Sequence, residues 1–368
     1  MVSSGCYGII PLLATGLQSH INRKESLALN GERNQPKPRT IGPNRDPILF
    51  RSLGTVVNKR KIVVSLPGDN IYLREQESAA KAAANRLGVE LQVLDAENDP
   101  VLQSQQLLDL VHKRPPERPD GILLEPVSGT GLPRVAEAAV AAGIGWVVSN
   151  AQVEYISALR KKAKVPVFMI SQDHMEVGRI QARQISSMLP QGGSVLYLRG
   201  PAANYLASKR TEGLESTKPA NVELKCLRIH WTADSAYKAA CSWLSLSTVR
   251  PQDTQLIMSQ NADFILGARK AFQTNTAEPD RSKWLAVPCT GVGIPSQIKP
   301  LVDQGVLRAA VVTSVTLDTA MEMLVQGLKN GSQPAEQTFV DAHSYPTLEE
   351  LAKKRNWSEV AARSRMRF

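Results

Sequence analysis

Between Lys61 and Pro126 short apolar runs alternate with longer amphipathic ones. KIVVSL (61–66) breaks at Pro67-Gly68-Asp69-Asn70, after which Glu75 to Leu87 carries alanines and apolar residues at helical spacing. That helix stops at Gly88, where a glycine can take a left-handed cap. VELQVLD (89–95) ends in Ala96-Glu97-Asn98-Asp99-Pro100, a Gln- and Leu-rich helix follows over Val101 to Val111, and GILLEP (121–126) completes the unit. Apolar strands of about six residues alternating with helices of ten or more imply parallel strands buried on both faces by their crossover helices. In open sheets of this kind ligands sit beyond the carboxyl ends of the strands, where Ser65, Asn70, Asp95 and Glu125 fall. Asn and Asp at such places also cap helices and shape turns, so both roles stay open for them.

The rhythm continues through WVVSN (146–150), VPVFMIS (165–171), GSVLYLRG (193–200), ELKCLRI (223–229), TQLIMSQN (254–261), WLAVPCTG (284–291) and RAAVVTSV (308–315). Helical patterns lie between them at Leu132 to Ala142, Met175 to Met188, Ser235 to Leu246, Ala262 to Phe272 and Thr316 to Lys329. Five strands precede a crossover near Gln172 and a similar set follows it. With 368 residues and 42% hydrophobic content the chain can build two cores. The expected fold class is α/β, two Rossmann-like parallel-sheet domains joined by three crossovers near Gln172, Ser314 and Asp341. One domain would take 58–172 plus 314–340, the other 173–313 plus 341–368.

Residues 1–57 break the rhythm: Asn30-Gly31 and prolines at 36, 38, 43 and 47 oppose long helices, and no alternation marks a strand. A disordered extension is expected there, with translation starting at Val56 or Val57 as a further possibility. The apolar run from Cys6 to Leu17 has about 12 residues, includes Pro11 and follows no basic residue, whereas a bilayer span needs roughly 20 and a signal peptide a basic start. No membrane insertion is expected, and a chain without a signal would stay in the cytoplasm.

The net charge of +10 is concentrated at the ends. Residues 1–61 hold ten Lys/Arg against three Asp/Glu and 351–368 six against one, leaving 28 basic and 30 acidic residues between. The body therefore lacks the basic surface that binds nucleic acid, and the C-terminal residues form a basic tail. Cys6, Cys226, Cys241 and Cys289 include no CxxC pair, and the five histidines show no metal-ligand spacing. No metal or cofactor is expected. Gly129-Thr130-Gly131 and Gly291-Val292-Gly293 lack the third glycine of a dinucleotide fingerprint, and neither a GxxxxGK[ST] loop nor a GxSxG elbow occurs. Glu125, Asp173 and His174 are the candidates for acid–base chemistry, and no motif links them.

Eight pieces in order, IVVSLPGDNIYL, LGVELQVLDAENDP, GILLEP, ISQDHMEVGRIQA, YLASKRTEGLE, WTADSAYKA, SQNADFILGARKAF and GVLRAAVVTS, make residues 59–345 resemble the type I periplasmic sugar-binding proteins. These are relatives of ribose- and galactose-binding proteins and of the ligand-binding core of lactose-repressor regulators. The resemblance implies a non-enzymatic binder that closes on a sugar-like ligand, with an ABC permease as a candidate partner and the periplasm as its compartment. It carries ligand-binding roles to Ser65, Asn70, Tyr72, Glu125, Asn150, Arg210, Trp231, Asn261 and Thr313. Amides and guanidinium groups suit hydroxyls, and Trp or Tyr faces cover a sugar ring. Two departures stand out: Asn150-Ala151 replaces the family's Asp-Arg, and CTGVGIP carries no acid where a GFDG-like turn has one. Trp231 also suits a core anchor, and Arg210 a partner of Glu212 or Glu215. The rivals are an α/β enzyme acting on a sugar or sugar phosphate, and a regulator lacking its DNA-binding domain.

Overall fold

The computed structural model describes residues 59–202 and 204–353. The extension expected over 1–57 and most of the basic C-terminal tail lie outside them. Strands β1 (Lys61–Leu66), β2 (Glu90–Asp95), β3 (Gly121–Leu124), β4 (Gly145–Ser149) and β5 (Val167–Gln172) alternate with helices α1 (Ile71–Leu87), α2 (Pro100–Val111), α3 (Pro133–Ala141) and α4 (Tyr155–Lys162). After α5 (His174–Met188) the alternation resumes with β6 (Gly193–Arg199), α6 (Tyr205–Thr217), β7 (Val222–Arg228), α7 (Ala233–Leu244), β8 (Leu256–Ser259) and α8 (Ala262–Asn275). There follow α9 (Asp280–Ala286), β9 (Cys289–Gly293), α10 (Pro295–Asp303), β10 (Ala309–Thr313), α11 (Leu317–Asn330), β11 (Gln337–Val340) and β12 (Ala342–Tyr345).

Two six-stranded sheets result, in the orders β11-β5-β4-β3-β1-β2 and β12-β10-β9-β8-β6-β7. Every residue of β3, β4, β5, β8 and β10 is buried, as expected of strands covered on both faces. The chain passes from the first sheet to the second after β5, returns after β10 when α11 packs on the first sheet, and crosses again between β11 and β12. The α/β class with three crossovers thus holds, with one amendment to its parallel sheets: β12 is antiparallel to β10. β11 runs parallel to β5, toward the end of the sheet where the crossovers lie. A strand that enters the second sheet from that end must run against the strands that point to it.

Three further details depart from the sequence pattern. The apolar run beginning at Trp284 was expected as a strand, yet Asp280–Ala286 is helical and the strand starts only at Cys289. Trp284 is the reason: it stacks on Phe272 at 5.1 Å and meets Trp243 edge-on at 5.3 Å, so the run serves as a helix seated on helices. A short apolar run has no period that separates the two cases. Helix α1 begins at Ile71, four residues before the expected start, because Asn70 caps it by accepting from the Leu73 N–H at 2.9 Å. The edge strand β11 carries no apolar alternation and was not anticipated.

Helices α5 and α6 approach to backbone contact. A Cβ added to Gly178 would lie 2.1 Å from the Arg210 carbonyl oxygen, and one on Gly213 would lie 2.0 Å from that of Met175. Helix propensity alone favours Ala over Gly by about 0.5–1 kcal/mol, but a backbone atom at such a distance cannot yield locally. Gly178→Ala is therefore expected to lower stability by about 1–3 kcal/mol, measured by urea denaturation; a gain would show that the helices separate freely.

Candidate functional site

Because all strands but β12 end toward the crossovers, so do the N-termini of the helices that follow. A cleft of about 230 Å³ opens there between the two sheets. Pockets for drug-sized ligands run from about 300 to 1,000 Å³, so the space suits a smaller occupant. Its walls hold Asn70, Tyr72, Glu125 and Asn150 from the first sheet's side and Arg210, Trp231, Asn261 and Thr313 from the second's. Eight of the nine residues singled out from the sequence thus share one cleft. Ser65 does not: it is fully buried behind the wall. There it accepts from the Gln103 amide at 3.1 Å, and the same amide donates to the Glu125 carbonyl at 3.0 Å. Gln103 Oε1 accepts from the Val127 N–H at 2.9 Å. Ser65 therefore supports the loop that carries Glu125 and is removed from the set of candidate contacts.

Asn70 and Asn261 combine the two roles the sequence left open. Each lines the cleft and each caps a helix, Asn261 by accepting from the Asp263 N–H at 2.9 Å. Asn204 does the same for α6, accepting from the Ala207 N–H at 3.2 Å. In all three the oxygen is used by the cap, and the amide nitrogen makes no hydrogen bond among the described residues.

Arg210 is 6% exposed and pairs with no carboxylate; Lys209 takes Glu212 instead, at 2.7 Å. Its guanidinium donates to the Gln260 carbonyl at 2.6 Å and to Gln172 Oε1 at 3.3 Å, and its Nε has no partner. Burial lowers its pKa to about 10, which leaves it charged at neutral pH. Trp231 follows β7 and is partly exposed to the cleft. It tilts against Phe264 at 5.5 Å and rests on Gly200, where an added Cβ would lie 2.6 Å from the indole. It is at once a cleft wall and a cap on the second sheet's core. Thr313, at the end of β10, donates to the Gly293 carbonyl at 3.3 Å.

On the opposite wall Asn150 holds a left-handed backbone (φ 53°) and donates through its amide to the Tyr72 hydroxyl and, at 3.2 Å, to Glu125 Oε2. Gln76 also donates to the Tyr72 hydroxyl. Burial and the Glu125 carboxylate push the Tyr72 phenol well above its usual range. Burial raises the Glu125 carboxyl to about 7, against a counteracting hydrogen bond from Asn150. Glu125 and Arg210 form no ion pair.

Sequence reasoning missed Gln172, Asp263 and Gln297, which also line the cleft. Asp263 accepts from the Gln297 amide at 2.7 Å, and burial raises its pKa. The acid missing from the β9 turn is thus matched by one in the first turn of α8, two residues beyond Asn261, where an acidic residue next to a cap was the available signal. The three candidates for acid–base chemistry do not converge. Asp173 caps α5, accepting from the Glu176 N–H at 2.9 Å, and His174 is buried 3.4 Å from Ser171 Oγ. Burial, then the Arg210 charge, holds that imidazole well below its usual range.

A family profile described as "Periplasmic binding protein domain" matches residues 62–332. The chain belongs to this family, and its two sheets with three crossovers are the type I form of the fold. The ribose import binding protein of Escherichia coli (strain K12) is 28% identical over 214 residues, 58% of this chain and 67% of that protein. An ABC transporter periplasmic solute binding protein from Actinobacillus succinogenes 130z, solved with bound D-allose, superposes with a TM-score of 0.67 at 17% identity, covering 80% of this chain and all of that one. The periplasmic binding protein component of the arabinose ABC transporter from Shewanella sp. ANA-3, bound to α- and β-L-arabinofuranose, gives 0.65 at 20% identity, covering 82% and 97%. Among the described residues no helix is long and apolar enough to cross a membrane.

The Glu125 environment has a measurable cost. The unfolded carboxyl ionises near 4.5 and the folded one near 7, so folding is penalised as pH rises through that interval, by at most about 3 kcal/mol, and the penalty is constant above it. Glu125→Gln removes the ionisable group. Its thermal midpoint is expected to exceed that of the parent at pH 8 and to converge with it near pH 4; parallel midpoints across this range would contradict the assignment.

Proposed function

We propose that this chain is a sugar receptor, the substrate-binding component of an ABC-type importer or of a related sensor, which closes its two sheets over a monosaccharide-sized ligand. The observation that carries this is the cleft itself: amide groups at helix starts, a buried guanidinium and a tryptophan line one space of monosaccharide scale. Amides and guanidinium satisfy hydroxyls in fixed directions while the indole covers the apolar face of a ring. The sugars bound by the similar proteins support the same reading. A permease partner follows from that reading and not from any surface of this chain.

Calorimetry against D-ribose, D-allose, L-arabinose and myo-inositol tests it. For the saccharide that binds, Arg210→Ala and Trp231→Ala in folded protein are expected to weaken affinity about ten- to hundredfold, the loss of a hydrogen bond to a charged group being worth about 1.5–3 kcal/mol. Unchanged affinity in both would move the site elsewhere.

Closure turns on the three crossovers, short segments of one to three residues at 173, 314–316 and 341. Tyr205, on α6, donates to Gln152, beyond β4, at 2.7 Å, a hydrogen bond that joins the two sheets' sides. Small-angle scattering is expected to show a smaller radius of gyration at saturating ligand, and an equal radius would refute hinge closure.

A further inference from the structure

On the first sheet's wall the hydrogen bonds within the Tyr72, Asn150 and Glu125 cluster are fully assigned, and what they leave over has one character. The two amide hydrogens of Asn150 go to Tyr72 and Glu125. The reverse amide orientation would set its oxygen against a carboxylate. The remaining Asn150 Oδ1 is buried, on a residue 3% exposed, and has no partner. Glu125 faces the same cleft with that single side-chain amide as its donor. Across the space Asp263 is held only by the Gln297 amide. Among the described residues the one cation lining the cleft, Arg210, is committed to two neutral carbonyl oxygens. Among the described residues two carboxylates thus line the cleft without a positive partner, one of them beside an unfilled acceptor.

A neutral hydroxyl can give one hydrogen to such a cluster and leaves its charge uncompensated. An ammonium group offers three donors and the missing charge, and hydrogen bonds between ionised partners are about twice as strong as neutral ones. Resting on the reading of the cleft as a sugar site, we propose that Glu125 and Asn150 Oδ1 recognise a protonated amine, so that the ligand is an amino sugar or amino polyol.

A pH signature follows. Burial raises Glu125 to about 7, so it gains its charge as pH rises from 5.5 to 7.5. Of the groups facing it, Tyr72 on α1 stays neutral and Arg210 on α6 stays charged across this interval. Burial also raises Asp263 on α8, against a counteracting hydrogen bond from Gln297. Affinity for an amine should therefore rise over this interval, whereas a neutral parent sugar gains only the strengthening of one hydroxyl hydrogen bond.

The test is calorimetry on the full chain with D-glucosamine, D-galactosamine and an amino-deoxy-inositol, each beside its hydroxyl parent and its N-acetyl derivative. At pH 7.5 at least one amine is expected to bind ten times or more tightly than both its neutral counterparts. That ratio should fall at least threefold at pH 5.5 and approach one in Glu125→Gln. Neutral parents binding as well as every amine would overturn the inference and leave the sugar receptor standing. An amine preference that survives Glu125→Gln would also overturn it. Silence from every amine and every neutral sugar or polyol would overturn the receptor reading together with it.

Discussion

The arrangement depends on one buried charge. Arg210 lines the cleft without a carboxylate, held by the carbonyl just beyond β8 and by the side chain that ends β5. Removing a guanidinium from water is costly unless its donors are met, so these carbonyls must sit where they do. Gln172 in turn donates to the Ser314 carbonyl at 3.0 Å, which ties the first crossover to the second. A relay therefore runs from Ser314 through Gln172 and Arg210 to Gln260, and it spans the junction of the two sheets. The glycines at 178 and 213 allow α6 to approach closely enough for the arginine to reach both ends.

The two walls of the cleft differ in chemistry because they differ in how they are held. The second sheet's wall is anchored at its tryptophan by packing, where Trp231 leans on Phe264 and rests on Gly200. The first sheet's wall is anchored by hydrogen bonds, with Ser65 and Gln103 behind Glu125 and Gln76 behind Tyr72. Gln76 also accepts from the Thr316 and Leu317 N–H groups at 2.9 and 3.1 Å, so the start of α11 after the second crossover is part of the same network. A polar network of this kind fixes direction where packing fixes position.

Much of this was legible in the sequence, for physical reasons that also explain the rest. The first five strands could be read because each is an apolar run bounded by turn residues, and β4, β5 and β10 are buried throughout. Trp284 misled because its partners, Trp243 and Phe272, lie on the two preceding helices, which the pattern of its own short run does not reveal. β11 was invisible because an edge strand with partly exposed residues needs no apolar alternation. At the site, position in the strand–helix order pointed to Asn70 and Glu125, and the family resemblance supplied the other six of the eight residues that share the cleft. Neither was enough for Ser65, where which way a strand residue faces depends on Gln103 from another helix, or for Asp263, whose contact with Gln297 joins α8 to α10.

The asparagines at the helix starts divide their labour within one side chain: the oxygen belongs to the fold and the nitrogen to the cleft. Aspartate at any of these positions would retain the cap, since it accepts equally well, while replacing a donor toward the cleft by an acceptor. A single-base class of change, amide to acid, can therefore alter what is recognised without disturbing where the helix begins. Ligand preference in this architecture is free to drift at sites where the backbone cannot.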